Sequence, residues 1–96
     1  MINQVVLVGT IKELPIIRSD SLQHADMKVE VPRPYRNSEG EYYTDVFTVS
    51  LWRGVADTAI SQYNVGNVIG IKGRMEIDAE TEKAKVIAER VSFIQH

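Results

Sequence analysis

The side chains of this sequence that could do chemistry are aromatic rings and guanidinium groups, not nucleophiles or metal ligands. Trp52 is the only tryptophan, and Arg53 and Gly54 follow it at once. Tyr35 stands between Arg33 and Arg36 in the run Pro32-Arg33-Pro34-Tyr35-Arg36-Asn37-Ser38-Glu39-Gly40. Such a set can stack on a flat ring and hold an anion, because a guanidinium pairs with anions and also lies against π faces. The other reactive classes are thin. Cysteine is absent, which removes thiolate metal sites and a disulfide framework and fits a reducing cytoplasm. His24 and His96 are far apart, and neither has a second ligand at metal spacing, so neither a zinc site nor a cofactor is expected. Asp78, Glu80 and Glu82 could be read as metal-binding or catalytic carboxylates. Without a nearby histidine or a pocket-forming partner they are expected to be the solvated tip of a hairpin. No nucleophile–base pairing can be placed, so an enzyme has no positive support.

These groups need elements to hold them. Tyr42 to Trp52 alternates strictly, as a strand does when successive side chains point to opposite faces. One face carries Tyr43, Phe47, Val49 and Leu51, interrupted by Asp45. The other carries Tyr42, Thr44, Val46, Thr48, Ser50 and Trp52. The tryptophan therefore falls on the polar face, where core volume does not explain it. An earlier strand runs from Asn3 to Ile11. Its Val5-Val6-Leu7-Val8 run lacks alternation and predicts burial on both faces, one filling a barrel and the other covered by a helix, a loop or a second subunit, an assembly surface in preference to a ligand groove. Pro15 marks a bend or edge, after which Ile16 and Ile17 could continue the strand. A second strand, Leu22 to Val31, turns Ala25, Met27, Val29 and Val31 inward and Asp26, Lys28 and Glu30 outward. The two prolines and the Asn-Ser-Glu-Gly turn chemistry then predict a long hairpin loop over Pro32–Gly40.

Beyond Trp52, Val55, Ala56, Ala59, Ile60 and Tyr63 recur at helical spacing, and Gly66 or a neighbouring asparagine suits a left-handed turn after them. The next strand is Val68–Ile77. Ile69, Ile71, Met75 and Ile77 point inward with Gly73 in phase, and Lys72, Arg74 and Glu76 point outward. Gly70 and Gly73 predict a bend or a close backbone approach. Asp78–Lys83 is a short hairpin tip, and Lys85–Ile94 is the last strand. Its apolar phase slips between Ala88 and Val91, which predicts a bulge near Glu89.

Ninety-six residues make one domain, with 44% hydrophobic and 25% charged residues in the ordinary range for a soluble globular protein. No apolar run is long enough for a membrane helix, and the N-terminus shows no signal-peptide pattern. The net charge of −2 and pI near 5.6 exclude a polycation that collects nucleic acid by bulk charge, but leave room for basic residues gathered on one surface. Three strands, a short helix and two strands, without strand–helix–strand alternation, predict an all-β fold. This is the order of a five-stranded antiparallel Greek-key barrel, the OB-fold, with its helix between the third and fourth strands.

The whole chain also resembles the bacterial-type single-stranded DNA-binding protein family. The resemblance rests on Met1-Ile2-Asn3-Gln4-Val5-Val6-Leu7-Val8-Gly9, on Arg33-Pro34-Tyr35-Arg36-Asn37 with Gly40, and on Asp45–Trp52 with Arg53-Gly54-Val55-Ala56. Gly66–Met75 and Ala88-Glu89-Arg90-Val91-Ser92-Phe93 complete it. Each motif alone is weak, and their order and spacing together are specific. The resemblance implies an OB-fold that assembles as a homotetramer, with a dimer as the alternative, and binds single-stranded DNA in the cytoplasm during replication, recombination or repair. It implies base stacking on Trp52 and Tyr35, with Tyr42 a weaker candidate. Phosphate contacts would come from Arg33, Arg36, Lys72 and Arg74, with Arg53, Lys12 and Lys28 weaker.

Three departures bear on this. Val46 stands where some members carry an aromatic. The hairpin tip Asp78-Ala79-Glu80-Thr81-Glu82 is short, acidic and free of aromatics, where the family often has a further stacking ring. The sequence stops at Gln95-His96, so the acidic-tipped tail that recruits replication and repair proteins is expected to be missing. A second hypothesis follows. Short, tail-less relatives serve as dimeric protein-interaction modules in replication-restart primosomes, with weaker affinity for single-stranded DNA.

Overall fold

The computed structural model describes residues 1–16 and 24–95. The elements run β1 (Val5–Glu13), β2 (His24–Arg36), β3 (Tyr42–Trp52), α1 (Arg53–Gln62), β4 (Val68–Ile77) and β5 (Ala84–Gln95). The strands close into a ring in the order β1-β2-β3-β5-β4. Every pairing is antiparallel except the closure, where β3 and β5 run parallel over Val49–Val86 and Ser50–Ile87. This is the expected five-stranded OB-fold with its helix after β3.

Inside the ring, Ile11, Met27, Val29, Val49, Leu51, Ile69, Ile71 and Val86 are fully buried, and α1 adds Ala56 and Ala59 to the same core. The inward phases of β2, β3 and β4 are those the alternation predicts, up to the barrel ends. Past the ends the pattern loses its meaning: Ile77 and Tyr43 share the inward phase yet are exposed. On β1 the structure differs from expectation. Val5 and Leu7 pack against the core, while Val6 is 68% and Val8 53% exposed, so within one chain only one face of this strand is covered. Asn3, expected to start the strand, instead bonds the Met75 backbone through its side-chain amide, both donating and accepting at 2.9 Å. Ile16 lies outside any strand, and the expected continuation at Ile17 lies outside the described residues, as does the predicted start of β2 at Leu22.

The largest correction concerns Pro32–Gly40. β2 does not end at Val31; it continues to Arg36, with Pro32 opposite Thr44 and Arg36 opposite Tyr42. The register shifts between Pro32 and Arg36, and such an irregularity is where a ladder can accept residues without an N–H donor. The true turn is short. The Asn37 side-chain oxygen accepts from the backbone N–H groups of Glu39 and Glu41, both at 2.9 Å, and Gly40 takes a positive φ of 82°. The result is a two-stranded arm in place of a loop.

On the far side, Lys72 faces Arg90 and Gly73 faces Ala88, which leaves Glu89 as the extra residue of the expected bulge. A Cβ at Gly73 would stand 1.9 Å from the Ile87 carbonyl oxygen, so the close approach predicted at this glycine is real. Asp78–Lys83 forms the short tip, closed by a backbone bond from Asp78 N–H to the Lys83 carbonyl at 2.9 Å.

Candidate nucleic-acid interface

The arm carries rings on both of its faces. On one, the Arg33 fork donates to both carboxylate oxygens of Asp45, at 3.0 Å each, and its remaining terminal nitrogen donates to the Tyr35 hydroxyl at 3.1 Å. The same guanidinium lies 5.6 Å from the centre of the Tyr43 ring. On the other, Arg36 lies 5.0 Å over the Tyr42 ring. The irregular register after Pro32 places these partners. It sets Arg33, Pro34 and Tyr35 against fewer residues of β3, so that Arg33 reaches back to Asp45 while Arg36 still pairs with Tyr42. Tyr35, Tyr42 and Tyr43 are each about half exposed. The hydrogen bonds from Arg33 hold the Asp45 carboxyl below its ordinary pKa, with the nearby positive charge adding to them.

Trp52 occupies the opposite end of β3's outer face. It is 51% exposed, and its ring lies 6.1 Å from His24, the residue opposite it on β2, at a tilt of 58°. The ring borders a cleft of about 150 Å³ that His24, Ser50, Arg74, Glu76, Lys85 and Ile87 also line. Ser50, outward in phase, is nonetheless buried, and its hydroxyl donates to Asp26. Val46 lies exposed between the two ends of the face, opposite Glu30.

The cations divide sharply. Arg33 is bound to Asp45, Arg74 to Glu76 at 2.8 Å, Lys12 to Glu30 at 3.0 Å, Arg53 to Asp57 at 3.6 Å and Lys85 to Asp78 at 3.8 Å. Asp78 also accepts from the N–H groups of Glu80 and Thr81, which lower its pKa more than Lys85 does. Among the described residues, Lys28, Arg36, Lys72, Lys83 and Arg90 form no ion pair with a carboxylate. Lys28 donates to Thr48 at 2.7 Å.

Of the residues singled out from sequence, the structure groups Arg33 with Tyr35, Arg36 with Tyr42, and Trp52 with Arg74. Lys72 lies elsewhere on the outer surface, opposite Val6 on β1 and Arg90 on β5. Arg53 begins α1 and points its charge at its own helix. Sequence reasoning passed over Tyr43, His24, Lys85 and Arg90. Tyr43 carried a signal: its phase is inward, but it lies beyond the reach of the barrel core. Lys85 carried none, because only the parallel closure brings β5 beside Trp52's strand.

The sequence matches the single-strand binding protein family over residues 2–94. It is 30% identical to single-stranded DNA-binding protein B of Bacillus subtilis over 103 residues, which cover 98% of this chain and 91% of that one. It is 28% identical to the single-stranded DNA-binding protein of Oceanobacillus iheyensis over 104 residues, and spans 65% of that longer protein. Among solved structures it superposes on the small single-stranded DNA-binding protein of Streptomyces coelicolor with a TM-score of 0.71 at 19% identity, covering 98% of this chain and 95% of that one. It superposes on the Plasmodium falciparum SSB in complex with ssDNA with a TM-score of 0.74 at 14% identity, covering 99% and 96%. At those identities the structures speak to the shared fold. The sequence match decides the lineage: this chain belongs to the single-strand binding protein family.

Proposed function

We propose that this protein binds single-stranded DNA without sequence preference, as a non-enzymatic coat in replication, recombination or repair in the cytoplasm. The observation that carries this reading is the distribution of half-exposed rings along β2 and β3, with Tyr35, Tyr42 and Tyr43 on the arm and Trp52 at the other end. Tyr42 and Trp52 lie at the two ends of one strand face, roughly 33 Å apart at the usual strand rise. That span suits a track for several nucleotides, within the roughly 4–16 that one OB-fold engages. Stacking supplies about 1–3 kcal/mol per base and reads no sequence, because every base has a π face. Arg36 and Lys28, which lie beside β3, would hold phosphates, with Arg74 reaching them once released from Glu76; Lys72 and Arg90 flank Val6 on the β1 side instead.

Assembly follows from β1. Val6 and Val8 form an exposed apolar strip that a second copy of the chain would cover, and we take the working form to be a homo-oligomer, a tetramer in preference to a dimer.

The test is a titration with labelled oligo-dT, following both anisotropy and Trp52 emission, repeated at several salt concentrations. We expect submicromolar binding, quenched emission and affinity that falls as salt rises. Absence of binding at low salt would sink the reading and leave the protein-adaptor role as the better account.

A further inference from the structure

We propose that Asp45 is a positioning residue for base stacking, a carboxylate on the DNA-binding arm that strengthens recognition of an anionic ligand. This rests on the single-stranded DNA reading above. A negative charge on a surface that receives phosphates should weaken binding, and removing it should help. The geometry points the other way. Asp45 accepts both arms of the Arg33 fork, and a guanidinium held at two points has one orientation. From that orientation Arg33 donates to the Tyr35 hydroxyl and lies against the Tyr43 ring. Asp45 thus orients, through Arg33, the two half-exposed rings of Tyr35 and Tyr43. An ordered ring loses less entropy when a base stacks on it.

The same contact diverts Arg33 from phosphate. With both Asp45 oxygens paired and Tyr35 satisfied, the guanidinium is spent on aligning rings, and the arm's phosphate contact falls to Arg36. The ligand feature read at this face of the arm is therefore the unstacked base, not the backbone.

An abasic oligomer of the same length separates the two roles, since it keeps the phosphates and lacks the rings. In the intact protein we expect a preference for oligo-dT over the abasic oligomer. In Asp45→Asn that preference should fall about fivefold, of the order of one stacked base, while binding of the abasic oligomer holds or tightens as Arg33 is released. Asp45→Glu, which keeps the carboxylate, should retain the preference within about twofold. If Asp45→Asn tightens binding to both oligomers equally, or leaves the preference unchanged, Asp45 does not position the rings. A general loss of structure would weaken both oligomers together. Should Asp45→Asn melt below the assay temperature, Arg33→Lys serves instead, because it keeps the charge and loses the fork; the preference must fall there too, and an unchanged preference overturns the proposal. Failure of the intact protein to bind oligo-dT would instead remove the single-stranded DNA reading itself.

Discussion

Trp52 is both the last residue of β3 and the N-cap of α1, with extended backbone angles of φ −60° and ψ 151°. An N-cap is normally a serine, threonine, aspartate or asparagine, whose oxygen accepts a free N–H of the first turn. Trp52 provides no such bond, and no acidic residue stands in the first turn to replace it. The helix start is therefore weaker than it need be, and the ring that occupies the position faces solvent. A residue kept there for stability would not be tryptophan. We expect Trp52→Ser to be more stable than Trp52→Ala by about 1 kcal/mol in urea unfolding, through the restored cap. Both should bind oligo-dT about tenfold or more weakly than the intact protein, as loss of a single stacking platform predicts. If serine gives no advantage over alanine, the cap argument fails; if binding is unchanged, Trp52 is not a platform. Alternation alone showed that this side chain leaves the core. It could not show that β5 and β4 bring Lys85 and Arg74 beside it, because that neighbourhood depends on how the ring closes.

At the scale of elements, patterns read within one strand or helix survived, and those that depend on what a strand is paired with did not. The bulge at Glu89 was legible because Val86, Ala88 and Val91 change phase within one strand. Pro32–Gly40 was misread because prolines usually end a ladder; here the irregular register with Thr44 and Tyr42 accommodates them. The exposed Val6 and Val8 show the same limit in reverse, since an unbroken apolar run predicted burial on both faces and the single chain covers only one. Gly73 offers a direct test of the strand packing. Gly73→Ala forces a methyl against the Ile87 carbonyl, and since a backbone atom cannot swing aside, we expect about 3 kcal/mol or more of destabilisation. Gly54→Ala, where nothing lies within 4 Å of the added carbon, should be neutral or slightly stabilising. Equal melting temperatures for the two variants would contradict the close approach of β4 and β5.

For the whole molecule, the division of the cations matters more than the net charge. Most arginines and lysines near the rings are already neutralised by a carboxylate, so few remain to displace counterions from DNA. Taking about two phosphate contacts per chain, from Arg36 and Lys28, the slope of log affinity against log salt should be about −1.4. A slope several times steeper would mean that the ion pairs at Arg33, Arg74 and Lys12 open on binding. Acid should act at two of the carboxylates. Asp45 is held below its ordinary pKa by Arg33, and Asp78 chiefly by the N–H groups of Glu80 and Thr81, so these contacts contribute stability above the carboxylate range of the unfolded chain and lose it as pH falls through the lowered values.

The parallel pairing of β3 with β5 has a consequence for breathing of the barrel. It joins the strands over only Val49–Val86 and Ser50–Ile87, whereas β2–β3 and β4–β5 are paired along nearly their full lengths, so it is the seam at which the ring should come undone first. The Trp52 cleft straddles that seam, with His24 and Trp52 on one bank and Arg74, Glu76 and Lys85 on the other. A strand of DNA laid in it would act as a suture. Backbone amides of 49–51 and 86–88 should then exchange with deuterium up to about a hundredfold more slowly at oligo-dT concentrations a hundred times the dissociation constant, while those between β1 and β4 change little. Uniform slowing across the barrel would mean that the seam is no weaker than the rest.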